Sequence, residues 1–136
     1  MKIASLAVLR ISLGLLMVIW GIDKLINPTH GVRVAKGFYF GMGAMPELMP
    51  VLGGLQVLLG VLVVAGLARR QAYIALAAIT GMTLIGVWRS ILDPLGVYLK
   101  GNVLFFPSLI IFAGVLVLLA FRDDDRFALD ARRATR

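Results

Sequence analysis

Arg10 stands inside an apolar run, Ile3 to Ile22, where the other polar residues are Ser5 near its start and Ser12. An ionisable group placed in this way costs about 2.5–3.5 kcal/mol on membrane-insertion scales, so it needs a partner or a task. At ~1.5 Å per residue it lies about 10 Å into the run. Two readings are open. It snorkels to the near interface, with a partner among the tail acids Asp123, Asp124 and Asp125, or it contacts an anion or a quinone oxygen. A second group of polar residues falls at the far ends of the apolar runs. Arg89 and Asp93 are four apart and predict one helical face. Asp23 and Lys24 end the first run, and Glu47 and Gln56 enter with the second. With Lys100 and Asn102 they are expected to ring one mouth. That ring is either a clasp of interfacial salt bridges or a binding mouth for an anion or quinone. In the second case Arg89 and Lys24 are the charge partners, Gln56 and Asp93 contribute polar contacts, and Trp20 and Trp88 stand among aromatic walls.

Gln56 is the polar residue set deepest in its run, and its amide requires partners in lipid. Thr80, Thr83 or Arg89 are the expected ones. The absence of cysteine excludes thiolate nucleophiles, iron–sulfur clusters and Cys-ligated zinc. The lone histidine, His30, excludes a haem held by two histidines of this chain, and no metal site is expected; His30 reads as a solvated loop residue. No spacing matches a P-loop, a dinucleotide fingerprint, a catalytic triad or a zinc motif. No autonomous catalytic residue is therefore expected.

The elements that must hold these residues follow from hydropathy. Hydrophobic residues make up 60% of the 136-residue chain and charged ones 15%, too little polar surface to cover a soluble domain of this size. The apolar residues come in long runs, near 3–22, 50–67, 72–92 and 103–121, of the length a ~30 Å hydrocarbon core asks for. The first is read as a retained span, because its apolar stretch is long for a signal peptide and carries an arginine. The expected fold is one all-α integral membrane domain over residues 1–136, a bundle of four transmembrane helices followed by a basic tail, 122–136. Strand alternation is missing, and four strands close no barrel.

Cation placement orients the bundle. Lys2, Arg69, Arg70, Arg122, Arg126, Arg132, Arg133 and Arg136 fall on one side, against Lys24, Arg33, Lys36, Arg89 and Lys100 on the other. Both termini are then cytoplasmic, in a bacterial inner membrane, and the polar mouth faces outward. The net charge of +7 is read as topology and lipid contact rather than nucleic-acid binding. The outer segment Asn27–Pro50 is too apolar for a free linker. It is expected to lie on or dip into the interface, with a short helix near Val32–Phe40. Gly14, Gly21, Gly53, Gly54, Gly60 and Gly81 mark close helix contacts. A weak internal repeat pairs Trp20…Asn27-Pro28 with Trp88…Asp93-Pro94.

Three stretches carry a resemblance. They are Leu9-Arg10-Ile11-Ser12-Leu13-Gly14 running through Trp20-Gly21-Ile22-Asp23-Lys24-Leu25, then Leu52-Gly53-Gly54-Leu55-Gln56 through Gly60 with Gly66-Leu67-Ala68-Arg69, and the tail Asp125-Arg126-Phe127-Ala128-Leu129-Asp130. In this order the chain resembles the DoxX-like family of small four-helix membrane proteins. It departs from that pattern at Gln56, where the family often has Glu, and in its three tail aspartates. The resemblance implies redox association, since one branch is similar to the small subunit of thiosulfate:quinone oxidoreductase. The expected role is an accessory or quinone-proximal subunit of a membrane redox complex, with quinone as the implied cofactor and lipid, other membrane subunits or further copies as partners. A small oligomeric carrier or channel for an organic anion and a purely structural assembly subunit are the alternatives.

Overall fold

The computed structural model describes residues 1–134; Arg136, counted above among the tail cations, lies outside them. The described residues are helical, with no strand. The helices are α1 (Lys2–Ile26), α2 (Pro28–Phe38), α3 (Met49–Ala65), α4 (Arg69–Gly86), α5 (Trp88–Leu92), α6 (Pro107–Ala120) and α7 (Leu129–Ala134). Single 3₁₀ turns at Val103–Phe105 and Arg122–Asp124 lead into and out of α6.

Pairing of α1 with α3 organises the bundle. Gly14 and Gly21 are seven apart on α1, as are Gly53 and Gly60 on α3, and the helices run antiparallel so that Gly14 meets Gly60 and Gly21 meets Gly53. A Cβ built on Gly60 would stand 2.7 Å from the Gly14 carbonyl oxygen, and one on Gly21 2.7 Å from that of Gly53. The backbones touch at both crossings, the close approach that small residues permit. α6 packs on α4, where Gly81 faces the Phe112 ring. Leu6, Leu13, Met17, Val63, Tyr73, Leu76, Val115 and Leu118 form the shared core.

The outer faces of the same helices are apolar too. On α1, Val8, Ile11, Leu15, Ile19 and Ile22 form an exposed stripe at helical spacing. The most apolar window of α1 is 33% buried within the chain and that of 103–120 only 11%. A core helix of a soluble protein buries its apolar surface; these two are long and apolar enough to cross a membrane and leave it outside.

Three expectations are corrected. The run 72–92 is not one helix: α4 ends at Gly86, and the chain steps at Val87 into the short α5. Gly86 is where α2 crosses, because a Cβ there would collide with the Phe38 carbonyl. The short helix expected near Val32–Phe40 is present but starts earlier, at Pro28, capped by the Asn27 side chain accepting from the His30 N–H. The last apolar run starts with a 3₁₀ turn, and its α-helix begins only at Pro107. The repeat has a structural echo. Asn27 (φ −131°, ψ 70°) and Asp93 (φ −138°, ψ 72°) end their helices in one conformation, and each precedes a proline, which disfavours the helical region.

Candidate functional site

The two ends of the bundle carry polar residues in different arrangements. At the end where α1 begins, the Arg10 Nε donates to Asp125 Oδ2 at 2.7 Å. Its Nη1 donates to the carbonyls of Val63, at 3.2 Å, and Val64. The two side chains are 4% and 1% exposed, so this is a buried ion pair with added hydrogen bonds, the geometry that offsets desolvation. The tail that brings Asp125 is docked further. Ala128 is fully buried over Gly66, whose positive φ of 70° ends α3. Asp130 Oδ2 accepts from the Arg69 N–H at 3.1 Å, and the Asp130 N–H donates to the Gly66 carbonyl at 3.1 Å. Asp125 Oδ1 and the Tyr73 hydroxyl are buried beside this pair without a hydrogen bond. Of the two readings of Arg10, the tail partner is the one present, and it is Asp125.

At the other end lie three adjoining cavities. The first, about 440 Å³, is bounded by α2, α3 and α4: Val34 and Ala35, then Met49, Leu52, Leu55 and Leu59, then Ala75, Ile79 and Met82. Leu52, Leu55 and Met82 are themselves on the exposed apolar surface, so the cavity opens sideways between helix faces. Its polar end is Lys24, whose Nζ donates to Gln56 Oε1 at 2.8 Å and to the Trp20 carbonyl at 3.4 Å. The Gln56 amide Nε2 donates to Met17 Sδ at 3.6 Å, a weak acceptor that leaves donor capacity free. No carboxylate lines this cavity. Lys24 and Gln56 thus offer donors in an apolar, sideways-opening space, which suits an amphiphile with acceptor oxygens.

A second cavity of about 320 Å³ shares Lys24, Gly31, Val34 and Tyr39 with the first and adds Trp20, Asp23, His30, Phe38 and Phe105. The Tyr39 hydroxyl meets Thr83 Oγ1 at 2.6 Å. His30 is half exposed, but it is paired: its Nδ1 lies 2.6 Å from Asp23 Oδ2. A third, about 430 Å³, is lined by Trp88, Arg89, Ser90, Lys100 and Asn102, with Phe38 and Phe105 dividing it from the second. No group of three or more His, Cys, Asp or Glu side chains comes together among the described residues.

The DoxX family model matches residues 5–89, well over half of the chain. The chain belongs to the DoxX family. No curated protein and no solved structure matches it. DoxX proteins are membrane proteins, in keeping with the exposed apolar helices. In this DoxX chain the match takes in Arg10, Lys24, Gln56 and Arg89 but stops before Asp93, Lys100 and the Asp125 tail.

The single ring expected from the sequence is divided. Lys24, Gln56 and Trp20 are together; Arg89 and Trp88 are in the separate third cavity, the guanidinium 5.6 Å from the indole. Asp93 does not pair with Arg89. The helix ends at Leu92, and Asp93, as its cap, turns its carboxylate onto the N–H groups of Val97, Tyr98 and Leu99 at 3.1, 2.7 and 2.6 Å. Those bonds, led by Leu99, hold its carboxyl below the usual carboxylate range. Gln56 binds Lys24 and Met17 rather than Thr80, Thr83 or Arg89. Tyr39 is one of several aromatics the sequence gathers at this end, with nothing to set it apart from Phe38 and Phe40, and Met17, a methionine in an apolar run, carries no distinguishing signal.

Proposed function

We propose that this DoxX protein is a quinone-proximal subunit of a membrane redox complex, and that it holds the quinone in the cavity bounded by α2, α3 and α4. The observation that carries this is the approach of Lys24 Nζ and the Gln56 amide to the end of an apolar cavity that opens sideways. A quinone brings what the cavity lacks, carbonyl oxygens to accept those protons, and its isoprenoid chain suits walls of Leu52, Leu55 and Leu59. The protein's own residues bind and orient, and a partner subunit supplies the electrons. The bundle spans the membrane four times, by α1, by α3, by α4 with α5, and by α6. The Lys24 end is outside and both termini are cytoplasmic, a placement that the asymmetry of lysine and arginine supports.

Carriage of an organic anion through the bundle has less support. Arg10, one of the residues that suggested it, is occupied by Asp125 and buried, and Gln56 and Arg89 line different cavities. The test is quinone content after purification in mild detergent, with Lys24→Met beside the parent. Co-purifying quinone, reduced about tenfold by Lys24→Met, is the expected result. No quinone and no redox partner in the parent, or equal quinone in both proteins, overturns the proposal.

A further inference from the structure

The third cavity has no part in the quinone reading, and its chemistry is different. Two of its walls are cations, Arg89 and Lys100, and no acidic residue lines it. Among the described residues neither cation forms an ion pair with a carboxylate; the nearest acid in sequence, Asp93, is committed to three backbone N–H groups. The Arg89 guanidinium lies 5.6 Å from the Trp88 ring. The uncharged polar walls also have hydrogens to give. Ser90 Oγ accepts from the Asn102 N–H at 3.0 Å, which leaves its O–H free, and Asn102 Oδ1 accepts from the Leu104 N–H, which leaves its amide N–H groups free.

The loop that presents Lys100 is built to hold it there. Asp93 gathers the turn from one side. Gly101 packs directly on the Asp93 and Arg89 carbonyls, so closely that any Cβ would collide. Between them Lys100 is forced to a φ of 55°, and Phe40, on the same cavity, also has a φ of 55°. Left-handed backbone at a residue with a Cβ is a cost that persists where surrounding structure over-determines it, and such outliers collect at ligand sites. Arg89 and Lys100 line one cleft with no carboxylate on its walls, so an anion there is attracted by both.

We propose that the cleft between α5 and the 93–102 loop binds a tetrahedral oxyanion, a phosphate or sulfate group, through Arg89, Lys100, Ser90 and Asn102. Arginine takes two of its oxygens as a fork and lysine a third. The group arrives either as a free anion or as the headgroup of an anionic lipid. The protein in neutral detergent is titrated with sulfate, against chloride at equal ionic strength, and its melting temperature followed. In parallel, nanodiscs of phosphatidylglycerol or phosphatidylcholine are examined by native mass spectrometry for retained lipid. The variants are Arg89→Gln, Lys100→Gln, Lys100→Gly and Lys100→Arg, with Arg33→Gln on α2 as the control. A sulfate response about tenfold weaker in the glutamine variants and kept in Lys100→Arg establishes a free-anion site. Loss of retained phosphatidylglycerol in the same variants establishes a headgroup site. Lys100→Gly relieves the left-handed strain, so it melts higher without ligand yet loses the binding, which separates the site from loop integrity. If sulfate and phosphatidylglycerol bind Lys100→Gln and Lys100→Gly as they bind Arg33→Gln, the proposal is overturned, whether or not Arg89→Gln folds.

Discussion

At one end of the bundle Arg10 meets a buried carboxylate and two carbonyls. At the other, Lys24 meets the neutral Gln56, while Arg89 and Lys100 meet no carboxylate among the described residues. Both ends place cations near apolar surface, yet of Arg10, Lys24, Arg89 and Lys100 only Arg10 forms an ion pair with a carboxylate among the described residues. A paired, hydrogen-bonded charge has little left for a ligand and acts as a clasp, here one that seats the tail on α1, α3 and α4. A cation whose partner is an amide keeps its charge and spare protons. The difference between clasp and site is therefore a difference in the partner, not in the cation.

The largest effect should come from opening the clasp. Arg10→Met or Asp125→Leu alone strands a buried charge and is expected to cost about 3–5 kcal/mol, whereas the double variant loses far less. Reversible unfolding in mixed micelles measures all three. Equal losses in the single and double variants would mean that the pair is not coupled.

Next are the glycine crossings, one near each end. Gly14→Ala and Gly21→Ala both force α1 and α3 apart, at about 1–3 kcal/mol each. Only Gly21→Ala, close to Lys24, should also lower quinone content. Gly54→Ala meets nothing within 4 Å and should be neutral or gain up to ~1 kcal/mol.

Gln56→Glu converts the mouth into a clasp by giving Lys24 an anionic partner. Ligand retention should fall about tenfold while stability shifts by no more than about 1 kcal/mol. Undiminished quinone in Gln56→Glu would show that the free charge on Lys24 is not what the ligand needs.

The smallest effect is expected at Asp93. Its carboxyl lies below the usual range when folded, so its contribution is full above the unfolded value of about 4 and is lost as pH falls through the lower folded value. Amide exchange at Val97, Tyr98 and Leu99 should accelerate only below about pH 4, and Asp93→Ala should show that fast exchange at neutral pH.

Much of the frame was legible in the residues. Long apolar runs identify a helical membrane protein, and the motifs around Arg10, Gly21 and Lys24 and around Gly53, Gln56 and Gly60 carry the family resemblance. The tail acids were recognisable as candidate partners of Arg10, but choosing Asp125 over its neighbours depended on how the 3₁₀ turn at Arg122–Asp124 aims the chain. The mouth was the least legible part. Arg89 and Asp93 share a helical face only if the helix continues, and it ends at Leu92 because Asp93 precedes Pro94.

Hydropathy and glycine spacing are properties of local sequence read at a fixed helical period, so the sequence by itself determined helices, apolar outer surfaces and the contact glycines Gly14, Gly21, Gly53 and Gly60, though it also marked Gly54, which meets nothing within 4 Å. Which donor faces which acceptor depends on the rotation and crossing of separate helices. Only the tertiary structure decided that Gln56 meets Lys24, that Asp93 is spent on its own loop, and that Arg89 is left with Lys100 across a cleft. Lys24 and Gln56 are 32 positions apart and Arg10 and Asp125 are 115 apart, where no local period reaches.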